Sequence, residues 1–527
     1  MRVAIIAPPY PLAEAPAPPL GVTYVAAAFE AAGAEVQVFD YIVSCYTPEK
    51  LAAALDAFQP DVVGATSVTL NFPVAAAIIR DVKTHNPSII TMMGGPHVSF
   101  DALNSLEQYP EIDMIVMGEG EATIAELVSV IKDRRAWKRV RGIAFRDGGQ
   151  ITINEPRPWI DNLDTLPLPA RHLLPLSKYR GLGFPISITT SRGCPYGCIF
   201  CQGRRMVGSK IRYRSPALVI AEIENILSYG IDRINVADDL FASNKDRVRE
   251  ICTAIVDRKL KFSWSAFARV NTVDKETLRM MRRAGCDSIS FGVESGNQEM
   301  LDRIKKGITL EKVRKAVDCC REVGMTAHTS FIVGLPGESP ATLQDTKRFA
   351  RSLGSLYGYH FLAPFPGTTV RERIEEYDLE ILTDDWSRYD ANSAIVRTSQ
   401  LSAEDMNRFV ADFDREIDKA WQKMVQGYYQ RTNYPHDDMK VEGHFRTQLI
   451  YQILSEDLVE AFGTFPIDAL GYETANMLAI RIEEHTAAEP ALVRKVIADF
   501  VEKGYIKSFL SKGQVVWYWT RNIFHDR

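Results

Sequence analysis

Three cysteines fall within eight consecutive residues of this 527-residue chain. They are Cys194, Cys198 and Cys201 of the run Ser-Arg-Gly-Cys-Pro-Tyr-Gly-Cys-Ile-Phe-Cys-Gln-Gly over residues 191–203. Thiolates are the ordinary ligands of iron–sulfur clusters, and a four-iron, four-sulfur cube usually takes four of them. Three thiolates leave one iron open to an outside ligand, much as a catalytic metal site keeps one position free. Gly193 and Gly197 carry no side chains that would obstruct a loop wrapping such a cube. Structural zinc would need a fourth Cys or His at ligand spacing, and the neighbourhood offers neither a second C-x-x-C pair nor a His. The remaining cysteines, Cys45, Cys252, Cys286, Cys319 and Cys320, read as small core or helix residues, too sparse for a disulfide scaffold. Asp238 and Asp239 are expected to face the same cavity as hydrogen-bonding or acid/base groups, the alternative being loop or N-cap carboxylates.

The elements that must position these groups follow from the patterning. Candidate strands occur at residues 186–191, 233–239, 262–269, 288–295, 326–335 and 359–364, with room for one helix in each crossover. Six such units over residues 186–400 predict a partial (β/α)6 barrel, short of the eight-unit form, with the triad directly after its first strand. Ahead of it, residues 1–145 alternate short apolar runs (3–7, 35–39, 62–67, 89–93, 114–117) with amphipathic stretches (22–32, 48–58, 73–83, 121–132). That alternation predicts a doubly wound parallel α/β domain. Its strand ends carry Pro8-Pro9, Thr66-Ser67, Gly94-Gly95-Pro96-His97 and Gly118-Glu119-Gly120. In such sheets ligands bind beyond the carboxyl ends of the strands, so this domain should bind something large.

Residues 146–185, with Pro156, Pro158, Pro167, Pro169 and Pro175, read as a linker. Past residue 400 the pattern turns helical, with one long helix over 403–426. From about residue 444, helices followed by a hairpin across 505–519 suggest a winged-helix-like module, fitting a packing, lid or DNA-binding role. The 62 basic and 67 acidic residues, net charge −5, give no support to nucleic-acid binding through a broad basic surface. The N-terminal MRVAIIAPPYPL is too short and too soon broken by proline for a secretory signal, and no run of about 18 apolar residues occurs. A cytoplasmic location is therefore expected.

The C-x3-C-x-aromatic-C spacing after a first barrel strand resembles the radical S-adenosylmethionine superfamily. The resemblance implies that the open iron takes the amino and carboxylate groups of the methionine moiety. The reduced cluster then cleaves the sulfonium to methionine and a 5′-deoxyadenosyl radical. It further implies that Phe200 packs near the adenine, that Arg269 pairs with the methionine carboxylate, and that Glu294 binds the ribose. Gly334-Leu335-Pro336 and Pro364-Phe365 match late-barrel turns that face the cofactor.

The first domain resembles the cobalamin-binding domain of the cobalamin-dependent subfamily. That likeness assigns Pro9, Tyr10, Leu20, Gly21, Thr66, Ser67, Gly94, Gly95, Pro96, His97, Gly118, Glu119 and Gly120 to cobalamin. The Asp-x-His-x-x-Gly motif of a lower axial histidine is absent; His97 sits in the right loop, where local hydrogen bonding is the other reading. Methylthiotransferases need three further cysteines in this domain, and only Cys45 is present. The activity so implied is methylation of an unactivated carbon, or a phosphorus centre, in a small molecule or lipid. Flavodoxin or ferredoxin would be the reductant. The rivals are oxidative cyclisation of the anaerobic magnesium-protoporphyrin ester type, radical dehydration, and a cofactor-sensing DNA-binding protein.

Overall fold

A computed structural model describes residues 1–11, 17–467 and 473–521. The first apolar runs form five parallel strands, Arg2–Ala7, Glu35–Asp40, Val62–Thr66, Ile90–Gly94 and Met114–Val116. In space the second strand lies at one edge, followed by the first, third, fourth and fifth. Arg2–Ala7 is buried on both faces after its first residue, as a sheet covered by helices on both sides requires. The cover comes from Leu20–Ala31 and Glu121–Val130 on one side and Pro48–Phe58 and Phe72–His85 on the other. The sheet does not stop at residue 145. Ile143–Asp147 and Gln150–Ile153 add antiparallel to the fifth strand and complete seven strands. The linker predicted from residue 146 therefore begins inside this sheet.

The second series forms the expected open barrel. Its six parallel strands are Ile186–Ile188, Arg233–Val236, Ser263–Ala268, Cys286–Glu294, Thr326–Val333 and Leu356–Phe361, neighbours in chain order. The crossover helices start on side-chain caps: Ser215 before Pro216–Ser228, Asn244 before Lys245–Asp257, Asp274 before Lys275–Arg283 and Ser339 before Pro340–Leu353. Each cap satisfies an amide that the first turn leaves open.

The C-terminal part opens on the long helix Ala403–Gln430, followed by Pro435–Ser455 and Leu458–Phe462. The short strand Thr464–Pro466 pairs with the second strand of a hairpin, Ile506–Ser511 and Gln514–Trp519, after helices Thr474–Glu483 and Pro490–Glu502. Part of the predicted linker belongs here. Helix Leu176–Leu182 places Tyr179 and Leu182 in the core formed by Leu449, Phe500 and Trp519. Tyr179 also donates a 2.7 Å hydrogen bond to Asp40 at the end of the second strand. Asp457 ties the same corner, taking Lys50, Lys178 and Ser44 as partners. Among the described residues no helix is long and apolar enough to cross a membrane.

Candidate active site

The cysteine loop leaves the first barrel strand through Ser191–Arg192, which pairs antiparallel with Arg212–Tyr213 and so closes the loop at its base. Gly193 has φ +112, and a β-carbon there would strike the carbonyl of Lys210. Only glycine turns the chain into the triad at that point. The Cys194 amide donates to the Gly208 carbonyl at 3.1 Å, and Cys201 donates to Cys198 at 3.3 Å. Buried Ile199 is pinned from both sides, donating to Ile304 and accepting from Val370.

Asp238 secures the root of this loop. Its buried carboxylate accepts from the Thr190 amide and hydroxyl, both at 2.5 Å, and from the Ser191 hydroxyl at 2.7 Å. The expectation that Asp238 faces the substrate cavity is thus corrected, because its oxygens are taken up by the backbone that carries the triad. Asp239, the next residue, does line the cavity.

That cavity measures about 700 Å³ and is bounded by all three cysteines, Phe200, Asp239, Arg269 and Glu294. Arg269 lies 3.6 Å from the Tyr196 ring and points Nη1 at the Cys198 sulfur, also at 3.6 Å. Its Nη2 is held by the Lys306 carbonyl. Glu294 sits at a register shift between neighbouring strands with φ +73, a strained value for a residue with a side chain. Its carboxylate pairs with Lys306 at 2.6 Å, both groups buried. Lys306 and Tyr196 were not singled out from the sequence. Tyr196 lay inside the triad, but nothing in the order of residues marked Lys306 as the partner of Glu294.

The thiols suit a cluster. Burial, then Tyr196's amide against the charges of Asp239 and Cys198, leaves the Cys194 thiol raised. Burial and the neighbouring Cys198, Asp239 and Cys194 push Cys201 up to about 11. Thiols crowded so that they resist ionising are relieved by a bound cation, which favours the thiolates. Among the described residues no three His, Cys, Asp or Glu side chains gather around one ion. A cube asks only for one thiolate on each of three irons.

The late turns lie elsewhere. Gly334, with φ +92, packs under Val396 and Met406, Leu335 is fully buried, and the Pro336 carbonyl accepts from Arg303. The Pro364 carbonyl accepts from Arg371, and Phe365 packs near Tyr389. None of these five residues borders the cavity. Gly367 at the end of the last turn instead receives the ring of Phe100 from the first domain, so tightly that a β-carbon would overlap it. These turns pack against neighbouring elements and do not line the cavity beside the triad.

In the first domain a cavity of about 90 Å³ lies at the carboxyl ends of the strands, beneath helix Leu20–Ala31. Gly21, Thr66, Gly94, Gly95, Gly118 and Gly120 line it. A β-carbon on Gly21 would enter open space, and the buried Ser67 hydroxyl beside Thr66 has no hydrogen-bond partner among the described residues. A bare cleft with an unanswered hydroxyl next to it fits a ligand that is both apolar and hydrogen-bonding. Pro9, Tyr10, Leu20, Ser67, Pro96, His97 and Glu119 do not line the cavity.

Two of these seven have other duties. His97 is fully buried, stacked 4.1 Å from Phe72 and edge-on 5.0 Å from Trp386, and desolvation lowers it to about 4. Glu119 crosses the domain boundary, bonding Arg192 at 3.1 Å, Arg212 at 2.8 Å and the Ile160 amide at 2.8 Å. Glu121 adds a second bond to Arg192 at 2.5 Å. Arg192 and Arg212 are the strand pair at the base of the cysteine loop.

Comparison with known proteins agrees with this arrangement. A B12 binding domain model matches residues 13–128, and a Radical SAM superfamily model matches residues 188–350. An uncharacterized methyltransferase of Pyrococcus horikoshii, PH0819, is 34% identical over 396 residues, covering 75% of this chain and 86% of that protein. The anaerobic magnesium-protoporphyrin IX monomethyl ester cyclase of Cereibacter sphaeroides is 31% identical over 398 residues, 73% of this chain and 64% of the cyclase. Among solved structures, the radical S-adenosylmethionine methyltransferase TsrM of Kitasatospora setae, with cobalamin and a [4Fe-4S] cluster bound, superposes with a TM-score of 0.65. It is 18% identical, the match covering 95% of this chain and 99% of TsrM, a likeness of fold.

Proposed function

Since the chain belongs to the radical S-adenosylmethionine superfamily, in the branch that places a B12-binding domain before the barrel, we propose that it is a cobalamin-dependent methyltransferase of a small-molecule or lipid substrate. The observation that carries the reading is the triad opening on one cavity, on a loop whose base the first domain clamps through Glu119. Cys194, Cys198 and Cys201 would hold the cluster, and the cleft beside Gly21 and Gly94 would hold part of the corrinoid. Bound there, the cluster supplies one-electron cleavage of S-adenosylmethionine and the corrinoid supplies the methyl group.

The chain's own residues bind and orient. Arg269, fixed by Tyr196 and the Lys306 carbonyl, sets its positive charge beside Cys198, where its remaining N–H groups can meet a carboxylate. Glu294 offers an acceptor whose position the Lys306 pair fixes, suited to a sugar hydroxyl. Asp239 is one of three acids bordering the cavity; burial first, then Asp238, raises its carboxyl and favours its protonated form. It is the group placed to hold or give up a proton next to substrate. Phe100 packs against Gly367 at the seam between the two domains.

A cyclase reading is favoured by the resemblance to the Cereibacter enzyme, and a product assay separates the two. Anaerobically purified protein should contain about four irons per chain and one cobalt. Under turnover, S-adenosylhomocysteine should form together with deoxyadenosine; deoxyadenosine without S-adenosylhomocysteine refutes methyl transfer. Flavodoxin or ferredoxin as electron donor and a cytoplasmic setting belong to the same reading.

A further inference from the structure

We propose that the cavity beside the triad takes an oxyanionic substrate, one bearing phosphate or more than one carboxylate, held by Arg204, Lys305 and Arg373. The inference rests on the reading of that cavity as the radical site, and it names the class of the second substrate. Six basic side chains border the cavity, Arg204, Arg205, Arg269, Lys305, Lys306 and Arg373, against the acids Asp239, Glu294 and Glu372. Three of the six are already answered. Lys306 is paired with Glu294, Arg205 with Glu372, and Arg269 with Cys198 and a backbone carbonyl. Arg204 and Lys305 have no carboxylate within ion-pair distance among the described residues, and Arg373 reaches only Glu376, at 3.9 Å.

These three come from separate segments that the fold brings to one cavity. Arg204 is in the short helix Gly203–Val207 immediately after Cys201. Lys305 is held in the left-handed region, φ +54, after helix Gln298–Arg303. Arg373 follows helix Thr369–Glu372. The cofactors do not consume this charge. The core of an iron–sulfur cube is itself cationic, so three thiolates leave a small negative excess, which Arg269 on Cys198 meets. S-adenosylmethionine brings a sulfonium and an ammonium against one carboxylate and so adds positive charge. That leaves the three cations open to an anion on the other substrate. Arg204, Lys305 and Arg373 are exposed side chains on the border of the cavity, where their attraction for an anion is salt-dependent, and arginine binds phosphate and carboxylate through paired donors.

The test titrates the cluster-loaded protein, with S-adenosylmethionine present and oxygen excluded, by calorimetry at two salt concentrations. The probes are phenyl phosphate, isophthalate and neutral benzamide. Wild type should bind one or both anions in preference to benzamide, and the tighter anion identifies phosphate or carboxylate as the group read. The double variant Arg204→Gln/Lys305→Gln and the variant Arg373→Gln should each bind more weakly, the double by tenfold or more and with a flatter salt dependence. Arg249→Gln, on an exposed helix face away from the cavity, should bind as wild type. Equal binding of benzamide, or unchanged anion binding in the double variant, overturns the proposal. So does a double variant that binds anions normally but accepts electrons from flavodoxin more slowly, since the cations would then serve the reductant. Iron content and deoxyadenosine release, measured on the same wild-type preparation, report separately on the radical reading.

Discussion

Replacing Glu119 should loosen the cysteine loop even though Glu119 touches none of the three cysteines. Its carboxylate is buried and meets both Arg192 and Arg212, the strand pair at the base of that loop. Glu119→Ala leaves Arg212 with only the carbonyls of Ile160 and Val207, while Arg192 keeps Glu121. Removing one member of a buried pair costs about 3–5 kcal/mol, because the other charge stays buried without its partner. If iron escapes through opening of this base, about 3 kcal/mol corresponds to roughly a hundredfold faster release. The assay is the rate at which a ferrous chelator strips iron from the reconstituted protein. Glu119→Gln should do less, since the amide still accepts from Ile160, and Glu121→Gln less again, since Glu121 meets Arg192 alone.

Burial would raise the Glu119 carboxyl, but Arg212, the Ile160 amide and Arg192 hold it below the usual range. A carboxyl lowered by folding stabilises fully above its unfolded pKa of about 4.3 and loses that contribution as pH falls through the lower folded value. Iron retention should therefore weaken below about pH 4 in wild type, and less so in Glu119→Gln. Adding Arg212→Met to Glu119→Ala should restore much of the loss, because no charge is then stranded. Unchanged iron release in Glu119→Ala, or no recovery in the double variant, would refute the clamp.

Other expectations follow from the same geometry. Alanine at Cys194, Cys198 or Cys201 should abolish iron binding and deoxyadenosine formation, whereas Cys320→Ala, in the barrel core, should keep both; iron analysis and product chromatography decide. Burial raises Glu338 to about 8, against the Gly334 amide that favours its charged form. A carboxyl raised by folding contributes fully below about 4.5 and loses that contribution as pH climbs through about 8. Glu338→Gln should flatten the wild-type decline in urea midpoint between those values. His97→Phe should preserve the ring packing between Phe72 and Trp386 and leave corrinoid uptake and its absorbance unchanged, since the imidazole does not line the cleft. Gly367→Ala should displace Phe100 and raise protease sensitivity at the seam between the domains, read by limited proteolysis.

Much of this was legible in the order of residues. Both sheets follow from short apolar runs separated by helical patterns, because a strand buried on both faces has to be apolar throughout. The triad, Arg269, Glu294 and Asp239 were found because cysteine spacing and strand-end polar residues are local signals, and all of them border one cavity. The assignments that moved depended on long-range pairing. Asp238 and Asp239 are indistinguishable in sequence; what separates them is that Asp238 meets the backbone at Thr190, 48 residues away. Glu119 looked like part of a ligand-binding turn because its flanking glycines do line the cleft. Its partners, Arg192 and Arg212, follow 73 and 93 residues later. The prolines after residue 155 signalled a linker, yet they gave no hint that helix Leu176–Leu182 between the domains would belong to a distant core.

That helix bears on how the chain is made. During synthesis Leu176–Leu182 emerges before the whole barrel and long before Leu449, Phe500 and Trp519, against which it packs. Until those residues arrive, Tyr179 and Leu182 have only Val43, Ile42 and Phe184 of their apolar cluster, and Ser177 lacks the Thr520 carbonyl that it bonds in the finished fold. The nascent protein thus carries a partly uncovered apolar patch through the folding of its barrel, the condition under which growing chains aggregate or recruit chaperones. A chain ended before residue 449 would keep that patch permanently, so the last segment acts as the lock on the first two domains.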